Sequence, residues 1–278
     1  SAVDWTSQDT SKVTVDSHGI ATAVATGTTT IKASINGVSD TIIIEVYIPD
    51  TVSDYIVGNS YYGRNNYIYY IPGDLPLILS AAHGGAEKPS EIAERSSGTV
   101  IADANTAELT LAIRDAIIAR TGYAPHVIIS NLHRSRLDAN REINEAAQGN
   151  VFAELAWTEF QAFIAQARTR VVNETAKGLY IDIHGHGHEK QRLELGYLLN
   201  NNRLNQDDTA VDGMNSYTSI RDLSVNSALT LSELVRGSTS LGAYLENQGV
   251  PSIPSPDNLR PNSDPYWNGG YNTTKFGS

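Results

Sequence analysis

Residues 75–82 form an apolar run with no helical spacing, and residues 126–130 and 178–183 are two more. Runs of this length, bounded by turn residues, read as buried strands. Between them lie helical periodicities. Leu109, Ala112, Ile113, Ala116 and Ile117 space a helix over 106–120, ended by Thr121-Gly122. Phe152, Leu155, Ala156, Phe160, Phe163 and Ile164 space a longer one over 150–175. Strands that alternate with helices constrain the chain to an α/β layer with a parallel or mixed sheet. Residues 195–199 are expected as a further strand, and 240–248 as a helix stopped by Gly249.

The first 47 residues have a different texture. They are rich in Val, Thr, Ala and Ile in short alternations, broken by Asp16-Ser17-His18-Gly19 and Asn36-Gly37. Asn-Gly between such runs signals a two-residue hairpin. This predicts short antiparallel strands, a small β-sandwich-like piece. Residues 48–64 read as a Tyr-, Asn- and Gly-rich connector, and 65–278 as the α/β domain.

Charge and composition exclude several function classes. The net charge of −11 is wrong for a phosphate lattice, so no nucleic-acid partner is expected. No apolar run is long enough to span a bilayer, so no membrane insertion is expected. There is no cysteine, which removes disulfides, a thiol nucleophile and thiolate metal ligands. No Gly-x-Ser-x-Gly elbow, dinucleotide fingerprint or Walker loop occurs. The N-terminus carries no signal-peptide pattern, as expected of a mature or trimmed chain.

Two predicted strands stop at a histidine followed by glycine. Residues 77–82 lead into His83-Gly84-Gly85-Ala86-Glu87, and 179–183 into His184-Gly185-His186-Gly187-His188. Sites in open α/β sheets form at the carboxyl ends of strands. A lone histidine there is most often a hydrogen-bonded loop residue; two such ends favour a metal. The expected ligands are His83, Glu87 and His184, around one divalent ion, zinc, with a position left for water. His186 and His188 compete with His184, which is preferred because it stands nearest the strand. Asp182, two residues earlier, is placed to orient a ligand; otherwise it is a buried carboxylate paired with a base. Arg134, Arg136 and Arg141 cluster after the 126–130 strand. They suit an anionic substrate, or else a solvated basic helix start.

Two resemblances follow from these strings. Val3-Asp4-Trp5, Ser7-Gln8-Asp9, Val13, Val15-Asp16, Gly19, Thr22-Ala23 and Gly27 resemble part of a bacterial immunoglobulin-like group 2 domain. That implies a spacer or adhesive module and an extracellular or cell-surface setting. Ser80-Ala81-Ala82-His83-Gly84-Gly85 through Pro89, then residues 132–141, then Asp182-Ile183-His184-Gly185-His186, resemble the N-formylglutamate amidohydrolase family. The order of parts is also similar to zinc carboxypeptidases. The resemblance implies a phosphorylase/hydrolase-like mixed sheet with flanking helices. It also implies one zinc, and hydrolysis of an amide in a small anionic or peptide-like, carboxylate-bearing substrate. By the same analogy Asn140 and Arg141 grip the substrate carboxylate, and Arg134 or Arg136 supports the oxyanion. Such enzymes usually carry a late strand with a glutamate base, and none follows Tyr271. The chain is therefore expected to be a fragment, with Glu194 or Glu246 as a substitute base. The rival expectation is a surface binding module that keeps the metal site but is catalytically impaired.

Overall fold

The computed structural model describes residues 3–46 and 55–277. The chain divides into two compact units, Ser1–Asp54 and Tyr55–Ser278. In the first, strands β1 (Asp4–Ser7), β4 (Gly27–Ile35) and β5 (Val38–Val46) make an antiparallel sheet in the order β1-β4-β5. A separate hairpin pairs β2 (Val13–Val15) with β3 (Ala21–Ala23). The β4–β5 turn has Asn36 at φ 52° and Gly37 at φ 83°. Both central residues are left-handed, as a tight hairpin matched to strand twist requires. Gly19 also has positive φ, and a Cβ there would lie 2.7 Å from the Trp5 ring, so glycine lets the indole close over the β2–β3 turn. Among the described residues of this unit, Val13 and Ile31 are the large apolar side chains that are fully buried; Val38, Ile42 and Ile43 are exposed.

The second unit is built on a five-stranded mixed sheet. Its members are β6 (Tyr61–Tyr62), β7 (Ile68–Ile71), β8 (Leu77–Ala81), β9 (His126–Ser130) and β10 (Leu179–Asp182), in the order β10-β8-β9-β7-β6. β10, β8 and β9 run parallel; β7 and β6 are antiparallel additions. The compact unit begins at Tyr55, so residues 55–64 of the expected connector belong to it. Tyr55 is buried, and Arg64 takes Glu91 in a two-armed ion pair.

The period-2 alternation of the strands sorts the two faces. Leu79, Ala81, Val127, Ile129 and Ile71 face helix α1 (Thr106–Thr121), through Ala107, Leu111 and Ile113. Tyr70 packs on Phe163 of helix α3 (Val151–Thr175), which follows the short α2 (Ile143–Ala147). α3 buries Ala156, Phe160, Phe163, Ile164 and Ala167, a stripe at helical spacing. Complete burial of Phe160 contributes about 1.5–3 kcal/mol. Asn150 caps the helix by accepting from the backbone N–H groups of Phe152 and Ala153, at 3.0 Å each. Gly122 ends α1 in the left-handed conformation.

This topology creates a switch point. From β8 the chain crosses through α1 to β9, then returns through α3 to β10 on the other side of β8. The carboxyl ends of these three neighbours define the place where an open sheet binds ligands.

The rest of the unit is a set of short elements. β11 (Leu193–Glu194) pairs in parallel with β12 (Ser252–Ile253). Helices α4 (Asn201–Leu204), α5 (Asp208–Asp212), α6 (Arg221–Val225), α7 (Leu231–Arg236) and α8 (Leu241–Glu246) lie between them, and α9 (Tyr271–Phe276) closes the chain. Residues 195–199, expected as a strand, form none among the described residues, although the Leu195 N–H still donates to the Ile253 carbonyl of β12 at 2.7 Å. Leu199 is instead buried against Leu204, Val211, Leu231 and Val235, so helix packing accounts for the apolar run. The helix expected over 240–248 is shorter, Leu241–Glu246, with Ser240 as its cap.

Candidate functional site

β8 ends two residues before His83, and β10 ends two residues before His184. The adjacent strands bring the two rings together, with centroids 4.9 Å apart. The His-Gly-Gly turn fits its surroundings closely. A Cβ at Gly84 would meet the Ala107 nitrogen at 2.5 Å, and one at Gly85 would meet the Asn131 backbone at 2.2 Å. Only glycine lets the loop thread between the start of α1 and the end of β9.

Each ring is held the same way. His83 Nε2 lies 2.6 Å from Asp138 Oδ1, and His184 Nε2 lies 2.8 Å from Asp182 Oδ2. Asp138 and Asp182 are 1% and 2% exposed. A carboxylate can only accept, so each Nε2 carries the proton that it donates. The other nitrogens turn to one oxygen. His83 Nδ1 is 3.3 Å and His184 Nδ1 is 3.0 Å from Asp103 Oδ2. Asp103 stands in the loop before α1, tied back by its N–H to the His83 carbonyl at 3.0 Å. Its Oδ2 also accepts the Gly185 N–H at 3.1 Å.

The electrostatics of the cluster call for positive charge. Burial opposes ionisation of Asp103, but hydrogen bonds from His184 and His83 outweigh it and hold the carboxyl well below the usual range. Burial likewise opposes charge on Asp138, where the hydrogen bond and charge of His83, with Arg134, prevail. For Asp182, burial is outweighed by the charge and hydrogen bond of His184. Conversely, burial lowers His184, but Asp182 and Asp103 raise it above the ordinary histidine range. Arg134 donates to Asp138 Oδ2 at 3.0 Å and to Asp103 Oδ1 at 3.3 Å, and Arg95 stands 3.8 Å from Asp138. Three carboxylates against two guanidinium groups leave one negative charge with both rings neutral. Either ring protonation or a cation makes up the difference.

The donor set fits a divalent ion. Ligand atoms of His83, Asp103 and His184 all lie within 4.8 Å of one another. Two ligands on a tetrahedral zinc are separated by about 3.3 Å, given bonds of about 2.0–2.1 Å. The two Nδ1–Oδ2 separations are close to that edge. The pattern of carboxylate, histidine and then the shared centre is how metal-binding imidazoles are oriented.

Of the residues expected from sequence, His83 and His184 meet here, with Asp182 behind the second. Glu87 does not join them. Its backbone makes a parallel bridge to Leu132, and its side chain is exposed and raised by partial burial above the ordinary carboxylate range. Arg134 is in the cluster, but Arg136 points elsewhere and donates to the Ile92 carbonyl at 2.7 Å. Asn140 is buried. Its Nδ2 lies 3.2 Å from His184 Nε2, and its Oδ1 accepts the Asn272 N–H at 2.8 Å. Arg141 pairs with Glu145 at 3.1 Å and keeps a partly exposed guanidinium. Glu246 is consumed by structure, accepting from Ser252, Ser255 and Asn258. Glu194 belongs to a second group, with His186 and His188, whose donor atoms also lie within 4.8 Å.

Three residues of the site had escaped the sequence reading. Asp103 lies in a long irregular loop with no periodicity; the length of that loop, residues 82–105, was the available signal. Asp138 stood unassigned within the arginine string. Asn272, fully buried, donates to Asp182 Oδ2 at 3.2 Å and accepts from Gln161 at 3.0 Å, locking α9 to the site.

Comparison with known proteins covers the first unit alone. Residues 1–46 match the bacterial Ig-like domain (group 2) family. No curated protein and no solved structure matches the chain. The amidohydrolase resemblance of the second unit receives no support from these comparisons. Among the described residues, no helix is long and apolar enough to cross a membrane.

Proposed function

We propose that the second unit is a metal-dependent hydrolase for an amide bond in a carboxylate-bearing substrate, with one zinc held by His83, Asp103 and His184. The observation that carries this reading is the shared Asp103 oxygen faced by two Nδ1 atoms, each on a ring whose Nε2 is committed to a buried aspartate. Zinc bound there would polarise a carbonyl and acidify water. Asp138 and Asp182 would keep both rings in the ligating tautomer, and Arg134 would hold Asp103 and Asp138 in place. Asn140 is buried and its Oδ1 is taken by the Asn272 N–H, so the substrate carboxylate falls to Arg141. Its Nη2 has no hydrogen bond among the described residues. The Ig-like unit supports an extracellular or cell-surface setting, since such domains occur in bacterial surface proteins.

The test is turnover of N-formyl-L-glutamate and γ-glutamyl-p-nitroanilide by the whole chain. Chelation should abolish it and zinc should restore it. The free acid should be favoured over the α-amide by about 1.5–3 kcal/mol, the worth of a hydrogen bond to a charged group. Turnover that survives complete metal removal would rule the reading out.

A further inference from the structure

The second histidine group has a different logic from the first. His186 spends both ring nitrogens on backbone. Its Nε2 donates to the Arg192 carbonyl at 2.8 Å, and its Nδ1 accepts the His188 N–H at 3.2 Å. It is a latch for the 184–188 loop. His188 is held by a side chain instead, with Nδ1 2.9 Å from Glu194 Oε1. The carboxylate accepts, so Nδ1 carries the proton and Nε2 keeps its lone pair. No hydrogen bond to that Nε2 exists among the described residues, and the side chain is 19% exposed. The ring lies flat on Trp267, with centroids 5.9 Å apart and planes 5° apart.

Glu194 is itself firmly placed. Its Oε2 accepts the Trp267 N–H at 2.7 Å, and Arg192 Nε stands 3.7 Å from Oε1. Arg192 is fixed in turn by Asp264 at 3.1 Å and the Pro265 carbonyl at 3.2 Å, and Lys190 shares Asp264. A guanidinium this close to Oε1 disfavours a second metal ion in the group. It leaves a carboxylate that orients one imidazole.

Two segments join this dyad to the first cluster. His188 follows His184 by four residues, no more than about 14 Å of chain. Residues 267–272 run from the Trp267 that stacks on His188 to Asn272, which bonds Asp182 and Asn140 beside His184. Gly270 sits against Asn140, where a Cβ would be 2.4 Å from its Nδ2.

We infer that His188 is the general acid–base group of the site, oriented by Glu194, with Trp267 as an aromatic wall for the substrate. This rests on the hydrolase reading. His188 Nε2 takes one proton from water as the carbon–oxygen bond forms. It returns that proton to the amide nitrogen as the carbon–nitrogen bond breaks, leaving a carboxylic acid and an amine. Glu194 acts through His188 and is a positioning residue.

The zinc-loaded whole chain tests this with γ-glutamyl-p-nitroanilide. His188→Gln should lower kcat by about 10²–10⁴-fold with KM little changed. Glu194→Gln should lower kcat less, and should abolish the downfield proton NMR signal of His188 Nδ1–H in the resting protein. Zinc content should remain at one equivalent in both variants. Wild-type turnover unaffected by His188→Gln overturns the inference while leaving the hydrolase reading intact. Two equivalents of zinc in the wild type, falling to one in His188→Gln, overturn it in favour of a second metal site. No wild-type turnover overturns both readings together.

Discussion

The two histidine groups are similar in composition and opposite in construction. In the first, two rings donate Nε2–H outward to buried aspartates and turn Nδ1 inward to a common oxygen. In the second, one ring is consumed by backbone and the other donates Nδ1–H to Glu194, beside a guanidinium. On the proposed reading, residue type therefore does not distinguish the proposed metal site from the proposed proton relay. What faces each nitrogen does. Convergent lone pairs with excess negative charge suit a cation, whereas a single oriented lone pair facing away from its carboxylate suits proton transfer.

The sharpest way to break this comparison is at Asp103. Asp103→Ala should lose zinc outright, as measured by metal content after gel filtration, while Glu87→Gln keeps one equivalent. The reverse result would return the carboxylate ligand to the residue nearest the strand.

A third histidine extends the comparison to a buried ring with no carboxylate hydrogen-bonded to it among the described residues. Buried His126 accepts the Gly73 N–H at 3.1 Å, stands 2.8 Å from the Tyr70 hydroxyl, and has no partner at Nε2. Burial pushes its pKa down to about 4, from 6.5. Between these values the unfolded chain binds a proton that the folded chain refuses, so stability rises with pH. It should fall as pH drops from about 6.5 to about 4, by about 3 kcal/mol in total. Urea unfolding at the two ends of this window, with chelator present, measures the effect. An equal loss in His126→Asn would assign it to other groups.

Smaller effects are expected behind the ligands. Asp138→Asn and Asp182→Asn should each weaken zinc about 10–100-fold without abolishing it, because they orient the rings and do not touch the ion. Competition with a chromophoric chelator reads this directly, and unchanged affinity in both would remove the orienting role. The smallest effect is expected at the second group, where His186→Ala should leave zinc affinity within about twofold. Loss of zinc there would make the 184–188 loop a ligand donor beyond His184.

Much of this architecture was legible in the chain. The strand over 126–130, the capped helix ending at Thr175, and the Asn36-Gly37 hairpin rest on local periodicity and turn chemistry, which need no distant partner. His83 and His184 were legible because a buried strand that stops at His-Gly marks the edge of a sheet. Glu87 was the natural choice of carboxylate for the same local reason. The fold turns it away, because the segment after Gly85 continues as a bridge alongside Leu132 and leaves the side chain in solvent. Arg136 shows the same limit: one strand end offered three arginines, and packing against residue 92 decided which stayed out.

By itself the sequence determined the alternation of strands and helices, the small β module at the front, and the two histidines at strand ends. These depend on residue spacing along one element. Only the tertiary structure decided that Asp103 and not Glu87 stands beside them, and that Asp138 backs His83. Each of these choices depends on side chains from different loops arriving at one point, with separations of 20, 55 and 81 residues between the partners of Asp103–His83, His83–Asp138 and Asp103–His184. No local period carries such distances. They are set by the order of strands in the sheet and by the cost of burying a charge without a partner.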